Sequence, residues 1–208
     1  MNKLRKIVIV IAIIGLAARA FRGAGDNGER ELQNIAAKFE RGEFEEGVEQ
    51  LAEFVENHPD DEIAWTMLGN AYLGLDQNEN AEEAFRNALA IDRDMARAAV
   101  GLGVTLRQQG EIDEAQKQYE HAIDVEPTYA IAHSSLAVIY LIQKDNKNAI
   151  RVAEKAAKLD PNNPTIFANL CMVYHQTDQF GKRDLAAAEA KRLGYSQMKK
   201  INEMMSEK

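Results

Sequence analysis

Four histidines, one cysteine and a run of polar acidic residues are the groups through which this chain could do chemistry. His58, His121, His133 and His175 would act as metal ligands or proton carriers, and Cys171 as a thiolate nucleophile. A metal site needs ligands at set spacing, and none of these histidines has a second histidine or cysteine where that spacing requires it. Residues 76–87, beginning Asp76-Gln77-Asn78-Glu79-Asn80, superficially suggest a calcium loop. Such a loop requires glycine at its sixth place and a bidentate acid at its twelfth, where this chain has Ala81 and Asn87. The sequence also lacks a Gly-x-Ser-x-Gly elbow, a phosphate-cradling glycine loop and a dinucleotide fingerprint. These patterns predict a chain that is not an enzyme and that takes no metal or cofactor.

The elements that carry these residues are predicted to be helices. Of the 208 residues, 46% are hydrophobic and 28% charged, a globular rather than disordered balance. Four prolines, abundant Ala, Glu, Lys, Leu and Gln, and few Val, Ile or Thr runs after residue 20 favour helix over strand. A net charge of -8 with no readable basic face excludes a nucleic-acid footprint. Lys3, Arg5 and Lys6 precede an apolar run from Ile7 to Ala18. As a helix that run would span about 18 Å, short of the roughly 30 Å hydrocarbon core. Residues 1–20 therefore read as a cleaved signal peptide, with Ala18-Arg19-Ala20 as the cleavage triplet, or as an uncleaved short anchor with Arg19 snorkelling. Both readings keep the basic flank inside and place residues 22–208 on the non-cytoplasmic side of the membrane, in the cell envelope. Membrane contact is expected only through residues 1–20, if they are retained. One cysteine excludes an intrachain disulfide framework.

A period of 34 residues organises the remainder. Leu68 recurs as Leu102, Leu136 and Leu170; Tyr72 as Tyr140 and Tyr174; Ala81 as Ala115 and Ala149; and Ala88 as Ala122, Ala156 and Ala190. Pro59, Pro127 and Pro161 follow the same spacing, with Arg93 at the vacant place. Self-similarity at this period marks a helical repeat array.

The pattern resembles the tetratricopeptide repeat (TPR), in which Trp, Leu-Gly, Tyr, a turn, then Ala, Phe, Ala and Pro mark one unit. Residues 62–95 carry Trp65, Leu68, Gly69, Tyr72, Ala81, Phe85 and Ala88, and units 96–129 and 130–163 match nearly as well. The first unit, 28–61, is degenerate, and the fifth, 164–197, has Arg183 where the family has a small residue. The resemblance implies an all-α fold: a right-handed superhelical solenoid of about five helix-turn-helix units plus a capping helix. The expected organisation is residues 1–20 as signal or anchor, 21–27 as linker, 28–197 as array and 198–208 as C-terminal cap. Trp65, Tyr72 and Phe85 should fill the space between helices while Gly69, Ala81 and Ala88 let backbones approach. His133, at the place of Trp65, should be half-buried packing. Cys171, at the place of Gly69 and Gly103, should be an inert thiol. His121 falls on an outer helix and His58 in a connection; His175, on an inner helix, is the one histidine facing a surface of interest.

In this family a partner lies along the concave face, on the first helix of each unit. Helical spacing from the matched residues puts Met67, Asn70 and Leu73 there, then Arg97, Val100, Val104 and Arg107, then Ser134, Val138 and Leu141, and finally Asn169, Met172 and His175. An apolar lining suits an extended or helical segment of another protein. One branch of the family grips the C-terminal carboxylate of heat-shock chaperones through basic and amide residues. Asn70 matches one such place, but Thr66, Gly101, Ile131 and Ser135 do not supply the rest. Arg97 and Arg107 are suited to an acidic group on a partner, or to nearby carboxylates of the chain itself. The expected role is a non-catalytic protein-interaction scaffold that assists assembly of a cell-envelope complex. A recruiting or regulatory subunit of an envelope enzyme, and a self-assembling array, are the alternatives.

Overall fold

The computed structural model describes residues 26–206, and the expectations for residues 1–20 and for most of the linker lie outside them. The described residues form helices joined by tight turns and fall into two compact units that divide between Glu111 and Ile112. The first holds α1 (Asp26–Arg41), α2 (Phe44–Asn57), α3 (Glu62–Gly74), α4 (Asn78–Ile91) and α5 (Ala96–Gln109). The second holds α6 (Ile112–Val125), α7 (Ala130–Ile142), α8 (Asn146–Leu159), α9 (Pro164–Gln176), α10 (Phe180–Arg192) and α11 (Met198–Ser206). The expected all-α helix-turn-helix repeat is therefore present. α1 begins at Asp26, inside the stretch expected to be a linker, and the boundary between units falls between the two helices of the third repeat.

Each repeat closes the turn between its helices with the same backbone hydrogen bond. The residues in left-handed conformation at these turns are Gly42, Asp76, Gly110, Lys144 and Asp178, one every 34 residues, with φ between 58° and 90°. The amide after each donates five residues back: Glu43 to Lys38, Gln77 to Tyr72, Glu111 to Leu106, Asp145 to Tyr140 and Gln179 to Tyr174, at 2.8–3.0 Å. This satisfies carbonyls that a helix end would otherwise leave open. At helix starts, Asp61 Oδ1 accepts from the Ala64 amide at 2.8 Å, and Asn163 Oδ1 accepts from the Thr165 and Ile166 amides ahead of Pro164.

Packing in each unit joins a helix to its successor, and first helices to one another. In the first unit α3 packs on α4 and α5; in the second α7 packs on α8 and α9, and α11 covers α9 and α10. Phe85 is fully buried on α4 because the repeat leaves room for its ring. A Cβ on Gly69 would lie 2.7 Å from Phe85 Cε1, and one on Gly101 would overlap Cε1 and Cζ. Trp65 departs from its expected core role: it is half-buried against the core, and its indole N–H donates to the Pro59 carbonyl at 3.0 Å. His133 departs the other way. It is 3% exposed rather than half-buried, and its Nε2 meets the Pro127 carbonyl at 2.9 Å. Two periods on, imidazole makes the bond that indole makes to the residue six places earlier.

Candidate functional site

The surface that a partner could use is built from what the first helices do not spend on their own packing. In the first unit, Asn70 and Leu73 on α3, and Arg97, Val104 and Arg107 on α5, are half-buried. In the second, Val138 and Leu141 on α7, and Asn169 and Met172 on α9, are also half-buried. Asn70, Val104, Val138 and Met172 stand at one repeat place, so the same notch stays partly open on α3, α5, α7 and α9, whereas Ala36 at that place on α1 is buried.

Four of the expected lining residues are instead buried: Met67, Val100, Ser134 and His175, at 0–7% exposure. The cause is helical geometry. Ala64, Met67, Leu68 and Ala71 form the i, i+3, i+4, i+7 stripe of α3, as Ala96, Ala99, Val100 and Gly103 do in α5. Ser134 lies on the equivalent stripe of α7 with Ala130, His133 and Ala137, and its Oγ accepts from Asn169 Nδ2 at 2.9 Å. His175 follows Ala168 and Cys171 on α9 and lies edge-on to Phe180, with Arg183 Nη1 3.5 Å from its Nδ1. Helical spacing read outward from one matched residue could not separate this stripe from its neighbour, because both carry small or apolar residues.

Electrostatics distinguish the open places. Among the described residues neither Arg97 nor Arg107 makes an ion pair, so both remain positive charges on an otherwise acidic chain. Two of the places a chaperone-tail clamp would need are closed: Thr66 is buried with its hydroxyl donating to the Glu62 carbonyl at 2.8 Å, and Gly101 lies against Phe85. Burial pushes the Cys171 thiol up to about 11, which keeps it protonated and inert at neutral pH. Burial also holds the His133 imidazole below its ordinary range, against the opposing Pro127 bond, with Lys155 and Arg151 adding to the depression. With Nε2–H on Pro127, Nδ1 is left buried without a hydrogen-bond partner. Asp76 is a left-handed turn residue and Ala81 is fully buried, so residues 76–87 are a turn and the start of α4.

Sequence reading missed several surface groups. Ile131, Ile142, Phe180 and Leu185 are exposed apolar residues, Leu185 the most at 74%. α8 exposes Lys147, Arg151, Lys155 and Lys158, a short basic row that whole-chain charge concealed. Their i, i+4, i+8, i+11 spacing was the signal that could have found it.

Residues 28–166 match the family of the cytochrome c-type biogenesis protein H TPR domain. The chain is 24% identical over 151 residues to anaphase-promoting complex subunit 6 of Arabidopsis thaliana, covering 73% of this chain and 28% of that protein. It spans only 15% of another curated relative, anaphase-promoting complex subunit 3 of Schizosaccharomyces pombe. Among solved structures, a thermophilic TPR protein of Thermus thermophilus is similar with a TM-score of 0.73 at 18% identity, over 86% of this chain and 97% of that one. PilW, described as a widely conserved type IV pilus biogenesis factor, is similar with a TM-score of 0.72 at 21% identity, over 82% and 79%.

Proposed function

Since the chain belongs to the family of the cytochrome c-type biogenesis protein H TPR domain, we propose that it is a non-catalytic scaffold that holds a segment of another protein and assists assembly of a cell-envelope complex. The observation that carries this reading is the half-buried repeat place of Asn70, Val104, Val138 and Met172, present on each of these first helices and flanked in the first unit by the unpaired Arg97 and Arg107. Apolar groups left partly wet at regular intervals gain from a partner that covers them. Two unpaired guanidinium groups favour an acidic group on that partner.

The matched family is named for cytochrome c-type biogenesis, and one structural neighbour for type IV pilus biogenesis. Both are assembly roles. The basic residues ahead of the apolar run 7–18 support a place on the non-cytoplasmic side of the membrane.

The test is capture of the partner from native membranes on the full chain tagged at its C-terminus, followed by titration of the identified partner. Val104→Asp and Val138→Asp should each weaken binding by more than about 1 kcal/mol, because a carboxylate is desolvated against apolar groups. Circular dichroism should remain helical. Unchanged affinity in both folded variants would move binding off the first helices.

A further inference from the structure

The outer face of the second helix in each repeat carries a row whose sign changes along the chain. On α2 the row is Glu45, Glu49, Glu53 and Glu56; three periods later, on α8, the same places hold Lys147, Arg151, Lys155 and Lys158. All eight are exposed. Among the described residues none of the eight makes an ion pair; Arg151 donates to the Asn148 side-chain oxygen at 3.3 Å, and Asp145 and Glu154 are the carboxylates whose charge the row feels. α2 holds five glutamates and no basic residue. α8 holds one acid, Glu154, whose Oε1 is already engaged by the Tyr174 hydroxyl at 2.8 Å and Lys182 Nζ at 3.3 Å. The other second helices are mixed at these places, with Glu79, Glu83, Asn87 and Ala90 on α4, and Asp113, Lys117, His121 and Asp124 on α6. Only α2 and α8 carry a full row of one sign.

We propose that these two rows are a self-complementary pair: the glutamate row on α2 of one copy docks on the basic row on α8 of a second copy. Both rows repeat at i, i+4, i+8 and i+11, so their charges lie along one side of each helix at the same intervals. Four opposed pairs can then form with neither helix changing shape. A depression lined by Lys147, Ile150, Arg151, Glu154, Lys155 and Lys158 follows the basic row and gives the partner helix a seat with one apolar side chain, Ile150, in its lining. The contact is heterologous. Each copy that uses its α2 still offers its α8, so association continues copy to copy unless a ring closes. Exposed ion pairs are individually weak and screened, so the association is reversible and sensitive to salt. This contact uses second helices and stands apart from partner binding on the first helices.

The test is sedimentation of the full chain in density-matched detergent over a range of concentrations. The wild-type chain should show a weight-average mass that rises with concentration, and its dissociation constant should rise at least about tenfold on going from low salt to about 0.5 M salt. Lys147→Glu/Arg151→Glu/Lys155→Glu should be monomeric alone, as should Glu45→Lys/Glu49→Lys/Glu53→Lys. The two variants mixed should associate, because each supplies the sign the other has lost. A wild-type chain that stays monomeric at low salt overturns the proposal, as do row variants that associate like wild type or a mixture that fails to recover. Binding of wild type, but not the α8 variant, to phosphatidylglycerol vesicles without self-association would assign the basic row to a lipid surface and equally overturn it.

Discussion

Gly101 and His133 show how far a single side chain constrains this fold. The Phe85 ring lies between Gly69 and Gly101, so a methyl group added on either side meets the ring and leaves it nowhere to withdraw. Gly101→Ala should therefore destabilise the chain by about 1–3 kcal/mol, read from the urea midpoint, and Phe85→Leu in the same chain should recover part of the loss. A neutral effect of Gly101→Ala alone would contradict the close approach. His133 makes stability depend on pH. Its folded-state pKa is lowered, so the unfolded chain binds the proton more readily. Its contribution is complete above the unfolded value near 6.5 and is lost as pH falls from there through the folded value. Thermal midpoints should thus fall between about pH 7 and pH 5, and His133→Gln, which keeps a donor for Pro127, should flatten that part of the profile. An identical profile in the variant would remove His133 as the source.

At the scale of the element, the left-handed turn residue decides local stability. Gly42 and Gly110 meet that backbone without cost, whereas Lys144, with φ of 61°, crowds its Cβ against the carbonyl. Lys144→Gly should accordingly stabilise the chain by up to about 1 kcal/mol after the greater freedom of unfolded glycine is deducted, and Gly110→Ala should destabilise it by a similar amount. Chemical denaturation of both variants checks the two signs together. The period that locates these turns was legible in Leu68, Ala81 and their echoes, because packing tolerates few residue types there. The turn residues themselves were legible only at the two glycines, since Asp76, Lys144 and Asp178 adopt a conformation their side chains do not announce. The open notch at Asn70, Val104, Val138 and Met172 could be read from helical spacing. The burial of Met67, Val100, Ser134 and His175 could not, because it depends on what packs against the helix rather than on the residue itself. The basic row of α8 was hidden by a chain-wide sum in which acids outnumber bases.

For the whole molecule, the proposed placement outside the cytoplasm has a direct consequence. If the placement is right, a reporter enzyme that gains activity only in an oxidising compartment, fused after Lys208, should be active, because Lys3, Arg5 and Lys6 would then hold the N-terminus inside. Activity of a cytoplasm-only reporter at the same position would overturn the placement. The intact mass of the purified protein then separates a chain beginning at Phe21 from one beginning at Met1. The division into two units between α5 and α6 shows that the repeat and the compact body are different subdivisions of this chain. The backbone-closed turns bear on its history. Since the amide after each left-handed residue bonds the carbonyl five places back whatever side chains are present, a recombination event joining two such turns in register would re-form the same bonds on the spliced chain. Growth and loss in this lineage should run in whole blocks of one period, with the joins healing at these turns and each new block free to acquire a surface charge of its own.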